Sequence, residues 1–153
     1  MIKRQLDNWF FKQKGKQEWL QAKVPGCVHT DLLSNGLIKD PFYEDNEREL
    51  QWIDKEDWQY QTMFTLSEKE VGLNSRLVFH GLDTYTNIYL NGHEILATDN
   101  MFRTYKVDIR PFAKVGENEL LITFRSPVTE DIPKLAAWVI HYRHQMMIPK
   151  QAD

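Results

Sequence analysis

The first place in this chain where chemistry could reside is a run of acids between residues 40 and 57. Asp40, Glu44, Asp45, Glu47, Glu49, Asp54, Glu56 and Asp57 fall within it, beside Asn46 and Trp52. Carboxylate pairs work as general acid and base, and cleavage of a glycosidic bond with retention needs two of them about 5 Å apart. The two must also sit in different environments, so that one stays protonated while the other ionises. Nothing in the spacing of these acids imposes that difference, and a run of acids is ordinarily a solvated face. No residue is therefore assigned a catalytic role.

Other constellations are weaker. Cys27 is the single cysteine, so no internal disulfide forms, and a small half-buried side chain explains it better than a nucleophile does. His141 and His144, three apart, lack the third ligand that zinc usually wants, so no metal site is assigned. Asn74-Ser75-Arg76 is not a glycosylation acceptor, and no phosphate-binding loop or dinucleotide fingerprint occurs. Net charge is −3 with the basic residues scattered, which argues against nucleic acid as a partner. No run reaches membrane-spanning length, so no membrane partner is expected. Residues 1–17 lack the apolar core of a secretory signal. The compartment stays open: cytoplasmic if this N-terminus is native, periplasmic or secreted if a signal has been removed.

The elements that must position these residues are mainly strands. At 153 residues, with 42% apolar and five Trp, the chain can bury one real core. Leu6, Trp9 and Phe11, then Trp19, Leu20 and Ala22, read as two short strands around Lys14-Gly15-Lys16. A short helix is expected over 29–34, with Leu32 and Leu33 buried and Asn35-Gly36 as its exit. Residues 40–54 read as a long loop. From Trp58 the period becomes two, with Trp58, Tyr60, Thr62 and Phe64 on one face. Arg76 to His80 makes a strand closed by Gly81, and Asn91-Gly92 supplies a type I′ hairpin turn after Thr86, Ile88 and Leu90. Tyr105, Val107 and Ile109 point inward in the next strand. Gly116-Glu117-Asn118 reads as a turn into a strand carrying Leu120, Ile122 and Phe124. Seven or eight strands at this spacing predict an all-β, antiparallel β-sandwich over 1–125. Residues 126–153, interrupted by Pro127, Pro133 and Pro149, read as an irregular tail leaving it.

One stretch is more specific than any periodicity. It holds Trp19, Val24-Pro25-Gly26-Cys27-Val28-His29-Thr30-Asp31-Leu32-Leu33, Asp40-Pro41-Phe42-Tyr43, Trp52-Ile53 and Asp57-Trp58-Gln59-Tyr60. This stretch resembles the start of the β-mannosidases of glycoside hydrolase family 2. Leu77-Val78-Phe79-His80-Gly81-Leu82-Asp83-Thr84 and Ile88-Tyr89-Leu90-Asn91-Gly92 extend the resemblance. It implies a jelly-roll, galactose-binding-domain-like fold, and an activity that removes terminal β-linked mannose from oligosaccharides with no cofactor. It also implies that both catalytic glutamates stand on a separate barrel of about 250 residues. The chain alone is then expected to be inactive, with that barrel and a β-mannoside oligosaccharide as its partners.

By the same resemblance the 40–52 loop faces the barrel, where aromatic faces and amide or carboxylate tips suit a sugar. Asp40, Asn46, Glu47 and Trp52 are the resulting candidates for substrate binding, with Arg143 in the tail as a fifth. Asn46 as a turn former, Trp52 as a core filler and a domain-interface role stay open beside that reading. The family's Gly-Trp-Asp-Trp-Gly-Pro motif does not follow Tyr142-Arg143-His144-Gln145, which leads to the expectation of a truncated or frame-shifted chain. Two rival readings remain. One is a free-standing carbohydrate-binding module, for which Tyr85 and Tyr89 share a face. The other is a purely structural domain that docks a barrel.

Overall fold

In the computed structural model, residues 3–40, 43, 45–73 and 75–131 are described, without the side chains of Glu47 and Asp131. Their order is β1 (Trp9–Gln13), β2 (Leu20–Ala22), α1 (Val28–Ser34), α2 (Asn46–Glu49), a 3-10 helix (Gln51–Lys55) and β3 (Trp58–Leu66). Then come α3 (Glu68–Gly72), β4 (Arg76–His80), β5 (Thr86–Leu90), β6 (His93–Thr98), β7 (Thr104–Asp108), β8 (Gly116–Phe124) and α4 (Pro127–Asp131). None of these helices is long and apolar enough to cross a membrane.

Six strands form one antiparallel sheet in the order β2-β1-β3-β8-β5-β6, and β4 pairs with β7 in a second. The spine is the register of β3 on β8, which runs unbroken from Trp58↔Phe124 to Leu66↔Gly116. Strict alternation explains why this sheet has one dry face. Trp58, Tyr60, Thr62, Phe64 and Leu66 are buried along β3, as are Leu120 and Ile122 on β8 and Ile88 and Leu90 on β5. Phe79 of β4, with Leu77, Tyr105 and Val107, closes the core from the second sheet. The architecture is the all-β sandwich that the sequence leads one to expect.

Two polar devices lock this core. Asn118, fully buried, makes four hydrogen bonds: Oδ1 accepts from Asn91 Nδ2 and Lys114 N at 2.9 Å each, and Nδ2 donates to the carbonyls of Lys114 (2.8 Å) and Gly116 (3.0 Å). Asn91 and Gly92 take φ of 51° and 82°, the left-handed pair that a type I′ turn requires. The hairpin turn is thereby tied to the neighbouring strand. The second device is Asp31, 2% exposed although charged. Its Oδ2 accepts from the Tyr60 hydroxyl at 2.7 Å and its Oδ1 from the Lys23 N–H at 2.8 Å. Gly26 is needed on the way into α1, because a Cβ there would lie 2.4 Å from the Lys23 carbonyl oxygen.

Several expectations are corrected. Leu33 is 39% exposed, and it is Asp31 rather than Leu33 that accompanies Leu32 inward on α1. A seven-residue helix buries only a narrow stripe, and the acid occupies it because Tyr60 and Lys23 satisfy its carboxylate. Residues 40–54 read as one long loop, but from Asn46 onward they carry α2 and the 3-10 helix, packed through buried Leu50 and Ile53. The strand read as starting after Asn118 starts at Gly116, because Asn118 faces inward in register with Phe64.

Burial raises the carboxyl of Asp31 above its ordinary 3.8, against the opposing pull of the hydrogen bonds from Tyr60 and Lys23. The folded state thus holds this proton more tightly than the unfolded chain does. The corresponding stability is full below the ordinary carboxyl value and is lost as pH rises through the folded value. Asp31→Asn, which keeps an acceptor for Lys23, is expected to remove this component. The gap between wild-type and Asp31→Asn melting temperatures should then shift in favour of the variant as pH rises from the ordinary carboxyl value through the folded one. Asp31→Ala, which orphans both donors, should cost about 3 kcal/mol at pH 3 and less as pH rises, because it too lacks the titrating carboxyl. Thermal melts of the three proteins at several pH values check this. A wild-type–Asn gap that does not change with pH would contradict it.

Candidate functional site

One end of the sandwich gathers more chemistry than the rest. Trp58, Phe124, Thr86 and Thr98 lie side by side there, at the start of β3 and β5 and the end of β8 and β6. The 3-10 helix is fastened to this end from two sides. Trp58 Nε1 donates to the Ile53 carbonyl at 3.0 Å, and the buried Ser126 Oγ donates to the Asp54 carbonyl at 2.6 Å. The Ser126 N–H in turn donates to Asp57 Oδ1 at 2.7 Å. Chain that follows β8 is therefore held against the site, with α4 continuing directly from Ser126.

Three protonatable groups converge here. His29 projects from α1, Asp54 from the 3-10 helix and Asp83 from the connection between β4 and β5, and each is half-buried. Asp83 accepts a short hydrogen bond from Thr84 Oγ1, while the Thr84 carbonyl accepts from Thr98 Oγ1 at 3.0 Å. Thr98 and the buried Thr86 share a 2.6 Å hydroxyl contact, which ties the Asp83 connection to the first row of β5 and β6. Burial raises the Asp83 carboxyl, the Thr84 hydroxyl opposes that, and the negative charge of Asp54 adds to the rise. Burial lowers His29, with Asp54 pulling the other way. Among the described residues no group of three or more such side chains is placed to hold a metal ion. The arrangement is a hydrogen-bonding surface whose carboxyl and imidazole differ in their readiness to donate.

Trp52 belongs to the same 3-10 helix. It is 40% exposed, with its ring tilted 46° against Trp58 at 6.0 Å between centroids, so one part packs and another part faces solvent. Asn46 opens α2, and its Nδ2 donates to the Asp40 carbonyl at 2.9 Å, which closes the turn between them. Asp40 is exposed. Glu47 lies in α2, its side chain outside the description, and Arg143, His141 and His144 lie outside the described residues. Trp52 is thus the one sequence candidate joined by a described contact to the end that carries the three protonatable groups. Cys27 is half-buried beside Thr30, whose Oγ1 accepts from Cys27 N at 3.3 Å and donates to its carbonyl at 2.8 Å.

Sequence reasoning singled out neither Asp83 nor His29 as a site residue. A signal for Asp83 was present, since an acid stands between buried Leu82 and buried Thr86 in a segment with neither strand alternation nor turn composition.

The comparisons with known proteins place this geometry in a family. Residues 9–152 match the glycosyl hydrolase 2 galactose-binding domain-like family. Beta-mannosidase B of Thermothelomyces thermophilus is 40% identical over 122 residues, 78% of this chain and 14% of that protein. The beta-mannosidase of Bos taurus is 39% identical over 122 residues, with 79% and 14% covered. The crystal structure of a beta-D-mannosidase from Dictyoglomus thermophilum superposes with a TM-score of 0.81 at 43% identity, over 84% of this chain and 16% of that one. An exo-chitosanase from Amycolatopsis orientalis shares the fold at a TM-score of 0.70 with 16% identity. This chain is a member of the glycosyl hydrolase 2 galactose-binding domain-like family. Its relatives within that family include β-mannosidases, and the chain spans 14% of the length of the two named above.

The electrostatics of this end can be checked directly. Asp54→Asn removes a negative charge that favours protonation of both neighbours, so the Asp83 carboxyl and the His29 imidazole should both move down in the same variant. Carbon-detected NMR titration of the Asp83 carboxyl and the His29 ring reads this. If neither group moves, Asp54 is not electrically coupled to them.

Proposed function

We propose that this chain acts as the non-catalytic N-terminal domain of a retaining exo-β-mannosidase, and that the end carrying Asp83 walls the sugar pocket. The observation that carries the reading is the pairing of a half-buried carboxyl, Asp83, with the partly exposed Trp52 and the His29–Asp54 pair at one end of the sandwich. A sugar ring offers an apolar face for an indole and hydroxyls that both donate and accept. A carboxyl held above its ordinary range can serve a hydroxyl in either role. Relatives that are β-mannosidases over this same stretch support the substrate class.

The division of labour follows from chemistry. Two carboxylates must face each other across the glycosidic bond. Asp54 and Asp83 both belong to one wall, where the negative charge of Asp54 adds to the rise of the Asp83 carboxyl. On this reading their role is to orient the terminal mannose, while bond cleavage belongs to glutamates on a separate barrel. Asp40, Asn46, Glu47 and Arg143 remain proposed substrate contacts.

In the full-length enzyme that this reading implies, Asp83→Ala and Trp52→Ala should each lower kcat/KM on an aryl β-mannoside about ten- to a hundredfold, the range expected for one lost wall contact. Both should leave a folded protein. Steady-state kinetics and thermal melts on the same preparations decide it. If kcat/KM per folded molecule is unchanged in both variants, this end of the domain does not touch the sugar.

A further inference from the structure

The side chains of β3, β5 and β8 that alternate away from the core meet on the opposite face of the six-stranded sheet. They enclose a shallow recess of about 390 Å³, within the range of small-ligand sites. Tyr89 supplies a half-buried ring and Leu121 an apolar floor, in direct register with one another. Around them stand amide and hydroxyl tips: Gln59 donates to Thr123 Oγ1 at 3.3 Å, and Asn87 donates to Glu94 at 2.6 Å. Each of those amides keeps its carbonyl oxygen for a further bond. The Glu119 carboxylate and the Tyr89 hydroxyl line it too, and Arg125, whose guanidinium pairs with Glu130, leaves its buried Nε without an acceptor. From Glu119 to Thr123 the recess follows four steps of β8, about 13 Å at the rise of a strand, with Arg125 just past its end.

We infer that this recess is a second carbohydrate-binding site, one that holds a neutral, extended oligosaccharide on the far side of the sheet from the core. Charge selects the ligand class: Arg125 and Lys14 on one side and Glu119 on the other give no single-sign field, so a neutral molecule fits where a phosphate or a polyanion does not. The chemistry of the lining selects it further. One aromatic ring, one apolar floor and a rim of mixed donors and acceptors match a pyranose, whereas the centre of a protein interface is apolar and depleted of charge. The inference rests on the proposed function only for the choice of β-linked mannose as probe, because the site shares no residue with the Asp83 end. Its use would be to keep a long substrate near the domain while the terminal residue is processed elsewhere.

The test uses the 153-residue chain and β-1,4-linked mannohexaose, titrated by calorimetry and by amide chemical shifts to about 10 mM, the weak end of specific binding. Saturable binding is expected, with shifts centred on Tyr89, Leu121 and Thr123. Tyr89→Ala should weaken it about tenfold, and Tyr89→Phe should retain most of it. Should Tyr89→Ala misfold, the shift map of the wild-type chain decides the matter. Absence of binding, or shifts centred on Trp52 and Asp83 instead, overturns the inference. Failure here leaves the kinetic test of Asp83 and Trp52 untouched.

Discussion

The hydrogen bond from the Tyr60 hydroxyl to Asp31 joins two parts of the chain that no strand ladder connects. Tyr60 sits in the middle of the inner row of β3, stacked on Phe11 at 5.6 Å and meeting Phe124 edge-on at 5.5 Å. Asp31 sits on the buried stripe of α1 and also accepts from Lys23, so one carboxylate fixes both the entry to the helix and its rotation. Burial, first, and then the negative charge of Asp31 push the Tyr60 hydroxyl well above its ordinary range, so it remains a donor. A short helix cannot hold its own position in water. His29 therefore owes its place at the end of the sandwich to this clamp, two residues away. Removing the clamp would release the imidazole from Asp54 as well as loosen the core.

From that constraint the molecule divides into two faces of different character. The inner face of the large sheet is dry and aromatic, and at its end the polypeptide turns through Asp83, the 3-10 helix and Ser126, each held by backbone or hydroxyl bonds. Rigid attachment of this kind is what a wall needs, since a misplaced contact loses its value in orienting a substrate. The outer face carries amides, a ring and charged tips, and nothing in its alternation is required by the core. On the two proposals made above, the faces would carry separable chemistry on one scaffold: orientation at the end, retention on the flat.

Strands were legible in the sequence because burial on a single face writes a period of two. Trp58-to-Phe64 and Thr86-to-Leu90 both follow it, and Asn91-Gly92 announces its turn through the left-handed backbone it needs. What escaped was polar burial. Asp31 and Asn118 look like surface residues by type, and only the partners brought by the fold, Tyr60 and Asn91, make their burial affordable. Leu33 was placed inward for the converse reason, since an apolar residue on a short helix has no obligation to be buried. The candidate site was legible only through Trp52. Asp83 needed the β4–β5 connection folded against Thr98 before its neighbourhood with Asp54 could exist.

The most direct test of the central claim is a crystal structure of the full-length enzyme that the proposed function implies, with a mannose-derived inhibitor in its pocket. The account predicts that an Asp83 carboxylate oxygen lies about 2.6–3.0 Å from a sugar hydroxyl, with the Trp52 indole along the same wall. A sugar more than about 6 Å from every atom of Asp83 and Trp52, beyond direct or single-water contact, would contradict it.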